Sequence, residues 1–145
     1  MTFFKSVAAA IALSTSAAAF AAPTFAEKAA ISVSAEALPS GDFVKKQKKL
    51  KGGWDVVRRG DKTFIVFDED FRAARGPDLK VFLSPKSVSS VTGKTATAGS
   101  LNIGVLQSTK GVQEYKVPAG VNLSDYGSIL VHCEEYAVLW GGGDL

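Results

Sequence analysis

One thiol and one imidazole stand side by side near the end of this chain. Cys133 is the only cysteine and His132 the only histidine, both within SILVHCEEYAVLW, Ser128 to Trp140. A thiolate next to a base suggests nucleophilic or redox chemistry. Strand geometry argues against cooperation, because successive side chains on a β-strand point to opposite faces. If Ile129 to Cys133 is a strand, then Ile129, Val131 and Cys133 share an apolar face, and His132 points away with Leu130. The apolar set resumes at Tyr136, Val138 and Trp140, out of phase with Cys133. An extra residue at Glu134 and Glu135, a β-bulge, would restore the phase. A two-residue Glu-Glu hairpin is less suitable, since glutamate does not favour positive φ.

Elimination narrows the chemistry further. A His₂Cys copper site needs two histidines, structural zinc needs several Cys or His, and c-type haem needs C-x-x-C-H, so all three are disfavoured. The only methionine is Met1, which leaves no axial thioether after it, and one histidine cannot give bis-His haem. What survives is haem held by a single ligand, Cys133 or His132, or the chemistry of a lone thiol: oxidation, or a mixed disulfide with another chain. The structural alternative is a packed, inert core cysteine. Whether the sequence encodes an enzyme is left open, because no catalytic constellation is found.

Other residues invite chemistry and offer less. Adjacent Glu134 and Glu135 diverge on a regular strand, so an acid/base dyad is weak. Gln113 and Tyr115 should share a face with Val117, either lining a groove or pairing by a hydrogen bond in the core. Arg59-Gly60-Asp61 spells an adhesion tripeptide, yet it separates two apolar runs where Gly and Asp supply a hairpin turn. From Lys45 to Lys62 the chain carries six lysines and two arginines against two aspartates. Lys45, Lys46, Lys48, Lys49, Lys51, Arg58 and Arg59 are therefore candidates for meeting a protein redox partner or an anionic surface. Lysines that block edge-to-edge strand pairing are the simpler account of the same run.

The elements that must position these residues are short. Runs rich in Val, Ile, Phe and Tyr alternate with Gly, Pro, Asp and Ser clusters, which predicts an all-β domain. Eight strands are expected: Asp42–Lys49, Trp54–Arg58, Thr63–Asp68, Leu79–Ser84, Ile103–Leu106, Gln113–Val117, Ser128–Glu134 and Tyr136–Trp140. They suit an antiparallel β-sandwich or flattened barrel. The Ser/Thr/Gly-rich segment from Ser84 to Ser100 reads as a polar surface loop, a second candidate for partner binding. Residues 1–21 combine one early cation, Lys5, with an Ala-rich apolar run and small residues, the pattern of a secretory signal cleaved after Ala21 or after Ala26. Residues 22–41 read as a tether, and 42–145 as the domain. The expected product is secreted or periplasmic, without a transmembrane anchor. Removing the signal lowers the net charge from +3 to +2, too mild to imply nucleic acid.

The region from Asp42 to Leu145 resembles the DM13 domain family. The resemblance is carried by DEDFRAARGPDLKVFLS (Asp68 to Ser84), IGVLQSTKGVQEYKVP (Ile103 to Pro118) and LSDYGSILVHCEEYAVLWGGGDL (Leu123 to Leu145), in that order. It implies an all-β extracytoplasmic domain with a redox or electron-transfer role resting on Cys133. The chain departs from the family pattern at His132 for Trp, Trp140 for Phe and Gly143 for Ala. The first departure removes a large aromatic from beside the thiol.

Overall fold

The computed structural model describes residues 37–145, so the expected signal and most of the expected tether lie outside the described residues. Every pairing is antiparallel, and the described residues form eleven strands in chain order: β1 Ser40–Asp42, β2 Val44–Lys45, β3 Leu50–Lys51, β4 Gly53–Arg59, β5 Lys62–Phe67, β6 Arg72–Ala73, β7 Leu79–Ser84, β8 Leu101–Val105, β9 Gln113–Lys116, β10 Ser128–Cys133 and β11 Val138–Asp144. A four-stranded sheet in the order β1-β4-β5-β9 faces a five-stranded sheet in the order β2-β11-β10-β7-β8, and β3 with β6 makes a small third sheet. The expected sandwich is what forms.

Its core follows from alternation. Trp54, Val56, Ile65, Phe67 and Tyr115 from the first sheet meet Val81, Leu83, Ile129, Val131 and Cys133 from the second. Phe67 is the hub of an aromatic cluster, with ring centroids 4.7 Å from Phe43, 4.7 Å from Phe71 and 5.1 Å from Tyr115. β10 is the central strand of the five and is buried along its whole length, which is why Ile129, Leu130 and Val131 are apolar in succession rather than alternating with polar residues.

Four expectations need correction. The strand expected at Asp42–Lys49 is broken: β1 pairs with β4 and β2 with β11, so the chain changes sheets at the buried Phe43 and forms an edge of both. The strand expected at Tyr136–Trp140 begins at Val138 and runs through the glycines to Asp144, leaving Tyr136 exposed. Glu134 to Ala137 is a hairpin turn, not a bulge, and Ala137 with φ 50 takes the left-handed position that the glutamates would resist. The phase change occurs on the facing strand instead: Val131 pairs with Gly141 and His132 with Leu139, leaving Trp140 as the extra residue.

The fourth correction concerns the segment from Ser84 to Ser100. It is a cover for the outer face of the five-stranded sheet, not a polar loop alone. Val88, Val91 and Ala96 are buried against Phe82, Leu130 and Leu139 in a second core. Three side-chain bonds from the sheet hold it down: Ser128 Oγ donates to the Lys86 carbonyl at 2.6 Å, Asp144 Oδ1 accepts from the Val88 N–H at 2.7 Å, and His132 Nε2 lies 2.7 Å from the Gly93 carbonyl oxygen.

Candidate functional site

Cys133 ends β10, directly between Leu79 of β7 and Val138 of β11. Partners directly opposite on neighbouring strands share a face, so the thiol points into the main core, where it has no solvent exposure. Immediately beyond it the chain turns into the exposed residues Glu134 to Ala137. His132 faces the other way, into the second core, edge-on to Phe82 at 6.0 Å. A carbonyl oxygen only accepts, so His132 Nε2 carries a proton and donates it to Gly93. His132 Nδ1 is buried without a partner. The imidazole therefore anchors the cover segment and does not address the thiol. Gly93 is required at that anchor, because a Cβ there would overlap the Ala137 carbonyl oxygen and lie 2.9 Å from its carbon.

The charged candidates are dispersed. Lys45, Lys46, Lys48, Lys49 and Lys51 are exposed along β2, the following bend and β3. Arg58 and Arg59 end β4, roughly 20 Å from its first residue at strand rise. Arg59 is engaged there, bonded to Glu114 at 2.8 Å and lying over the Phe64 ring at 4.8 Å, beside the two-residue turn Gly60-Asp61. The sequence run is thus not one face. Instead, Lys46 and Gln47 meet Val91, Thr92 and Gly93 around a depression of about 260 Å³ with Leu139 in its lining, so the lysine bend and the cover segment adjoin. Glu134 and Glu135 form no dyad: Glu134 binds Lys80, and that hydrogen bond, helped by Asp78, raises the Lys80 ammonium above its ordinary value.

Gln113, Tyr115 and Val117 do share a buried face. Tyr115 Oη donates to Gln113 Oε1 at 2.6 Å and accepts from the Gln107 N–H at 3.0 Å, while Gln113 Nε2 donates to the Ser108 carbonyl at 2.9 Å. This network fastens the 107–113 connection to the sheet, and neither Gln113 nor Tyr115 lines one of the described surface depressions. Burial pushes the Tyr115 hydroxyl from 10.0 up to about 12, against a smaller lowering by the Gln107 N–H. The native state therefore holds a proton that the unfolded chain releases near pH 10, so the contribution is whole below pH 10 and is lost as pH rises to about 12. We expect the stability advantage over Tyr115→Phe to shrink across that window by up to about 2 kcal/mol, two pKa units discounted for partly polar surroundings. Denaturant melts of both proteins at stepped pH check it, and parallel curves would refute it.

A family model described as electron transfer DM13 matches residues 42–142. The chain belongs to the DM13 family. No curated protein and no solved structure matches it. Its family role is of the electron-transfer type, which makes the fit of a haem to this DM13 domain the next question. Cys133 has no exposed surface, and its strand neighbours are packed side chains. Neither Cys133 nor His132 lines any of the described surface depressions. His132 Nε2 is already committed to Gly93. Neither residue fits the axial position of a haem in this fold.

Sequence reasoning missed the two roles that depend on tertiary pairing. The anchoring of Gly93 by His132 spans 39 residues and carries no local pattern. Arg72 and Lys110, far from the lysine run in sequence, are brought beside Lys51 by strand register alone.

Proposed function

We propose that this DM13 domain works outside the cytoplasm as a docking component of an electron-transfer system, with Cys133 packed in its core rather than offered to a partner. The observation that carries the reading is the complete burial of Cys133 on the inward face of β10. Reactive cysteines sit in partly exposed, electropositive surroundings, whereas buried structural ones are inert. The electron-transfer character comes from the family, and the extracytoplasmic location from the signal pattern of residues 1–21.

A second reading has one observation in its favour. Cys133 lies one residue from an exposed turn and beside a half-buried Val138, so fraying of the β10–β11 hairpin would expose the thiol without global unfolding. Its thiolate would then attack a disulfide of a partner, forming a Cys133 mixed disulfide and releasing the partner's second sulfur as a thiolate. Labelling of native protein with a maleimide separates the two. For a core thiol, modification runs roughly a thousandfold or more slower than in denaturant and tracks global stability. Labelling that is fast and insensitive to global stability would overturn the docking reading in favour of the second.

A further inference from the structure

Three cations form a row on the small third sheet. Lys51 on β3 is directly opposite Arg72 on β6, and Arg72 is bridged on its other side to Lys110. Opposed residues share a face, and the neighbouring pair Leu50 and Ala73 points inward to the core, so the three cations point outward together. Among the described residues no carboxylate lies within 4.0 Å of any of them, although Glu69 and Asp70 are exposed on the turn just before Arg72. Like charges placed directly opposite destabilise a sheet. The fold nonetheless fixes the middle one: Arg72 Nη1 donates to the Glu69 and Phe71 carbonyls, each at 2.7 Å.

We infer that the row Lys51–Arg72–Lys110 is a docking site for an acidic α-helical face of a partner protein. The inference deepens the docking reading and rests on it for the partner, not for the charge chemistry. Cross-strand neighbours hold their Cβ atoms about 4.5–5.5 Å apart. Acidic residues three or four apart on a helix repeat at about 5–6 Å, whereas alternate residues of a strand repeat at roughly 6.7 Å. The helical spacing is the better match. Arg72, held in place through Nη1, keeps its remaining donors for a carboxylate, and the guanidinium fork suits paired bonds. The exposed Lys49 adds long-range attraction for the approaching partner.

The test uses the full domain and a fluorescent helical peptide with glutamates along one face at three- and four-residue spacing. Salt-sensitive binding is expected, weakened roughly tenfold by Lys51→Glu and by Lys110→Glu and unchanged by Lys62→Glu or Lys116→Glu on β5 and β9. Arg72→Lys keeps the charge and loses the fork, for a loss of roughly severalfold. Lys51→Glu also places opposite charges across the strands, so its melting temperature should rise while its binding falls, which separates lost affinity from lost folding. Equal weakening by Lys62→Glu would overturn the row. Tight binding to anionic lipid vesicles with none to the peptide would overturn the partner chemistry, and a lower melting temperature for Lys51→Glu would overturn the charge-crowding argument. Rapid native labelling of Cys133 would sink the docking reading but leave the peptide result standing.

Discussion

Phe67→Ala should remove about 3–5 kcal/mol of stability, the cost of deleting a large buried ring and leaving the cavity behind. Phe67 has no exposed surface and is the one ring in edge or tilted contact with Phe43, Phe71 and Tyr115. Aromatic pairs contribute about 0.5–1.5 kcal/mol beyond area burial, so losing three of them places the effect at the upper end of the range. A domain of this size has about 5–15 kcal/mol in total, so the variant stands near the edge of folding. Phe67 also holds Phe43, the residue at which the chain passes from one sheet to the other. Loss should therefore propagate to the β1 and β2 edges. Urea titration followed by tryptophan fluorescence measures it, with Tyr136→Ala, at an exposed turn position, as a control within about 0.5 kcal/mol of the parent. A Phe67→Ala loss below about 1 kcal/mol would show that this cluster is not the centre of the fold.

That cluster also marks how far the sequence can be read. β4, β5, β7 and β9 were expected within a residue or two, because Val, Ile, Phe and Tyr alternate there between Gly, Pro and Asp stops. The divergence of His132 from Cys133 needs only the two-residue period and is what the strand displays. The sheet change at Phe43 was not readable, since it depends on which distant strands accept each half of one extended segment. Nor was the cover segment: its three buried residues, Val88, Val91 and Ala96, follow neither a helical nor a strand period, and their partners lie in β7, β10 and β11. The charged surface divides the same way. A run of lysines is visible as composition, but Arg58 and Arg59 leave it along β4, while Arg72 and Lys110 join Lys51 through pairing that no local pattern encodes.

Gly141→Ala is expected to cost roughly 3 kcal/mol and to detach one edge of the five-stranded sheet. A single methyl has this effect because of where it would sit: the new Cβ overlaps the Val44 carbonyl oxygen and comes within 3.0 Å of Leu50 Cδ2. Backbone cannot rotate away as a flexible side chain can, so β2 must move. Gly141 and Gly142 pair with Lys45 and Val44, and the edge continues through the Lys46 N–H donating to the Trp140 carbonyl and the Gln47 N–H to that of Leu139, at 2.8 and 3.1 Å. Displacing β2 breaks this ladder together and carries the lysine bend away from Val91 and Gly93, so the depression between them opens. Hydrogen exchange should then show the amides of Lys46 and Gln47 losing protection while those of β7 and β10, held by their own pairing, keep most of theirs. Unchanged protection at Lys46 and Gln47 in the variant would mean that β2 tolerates the methyl and that the glycine is not needed for the close approach. The prediction also bears on docking. Lys51 lies on β3, after the bend that β2 supports, so Gly141→Ala should weaken the acidic peptide less than Lys51→Glu does, because the pairing of Lys51 with Arg72 does not run through β2.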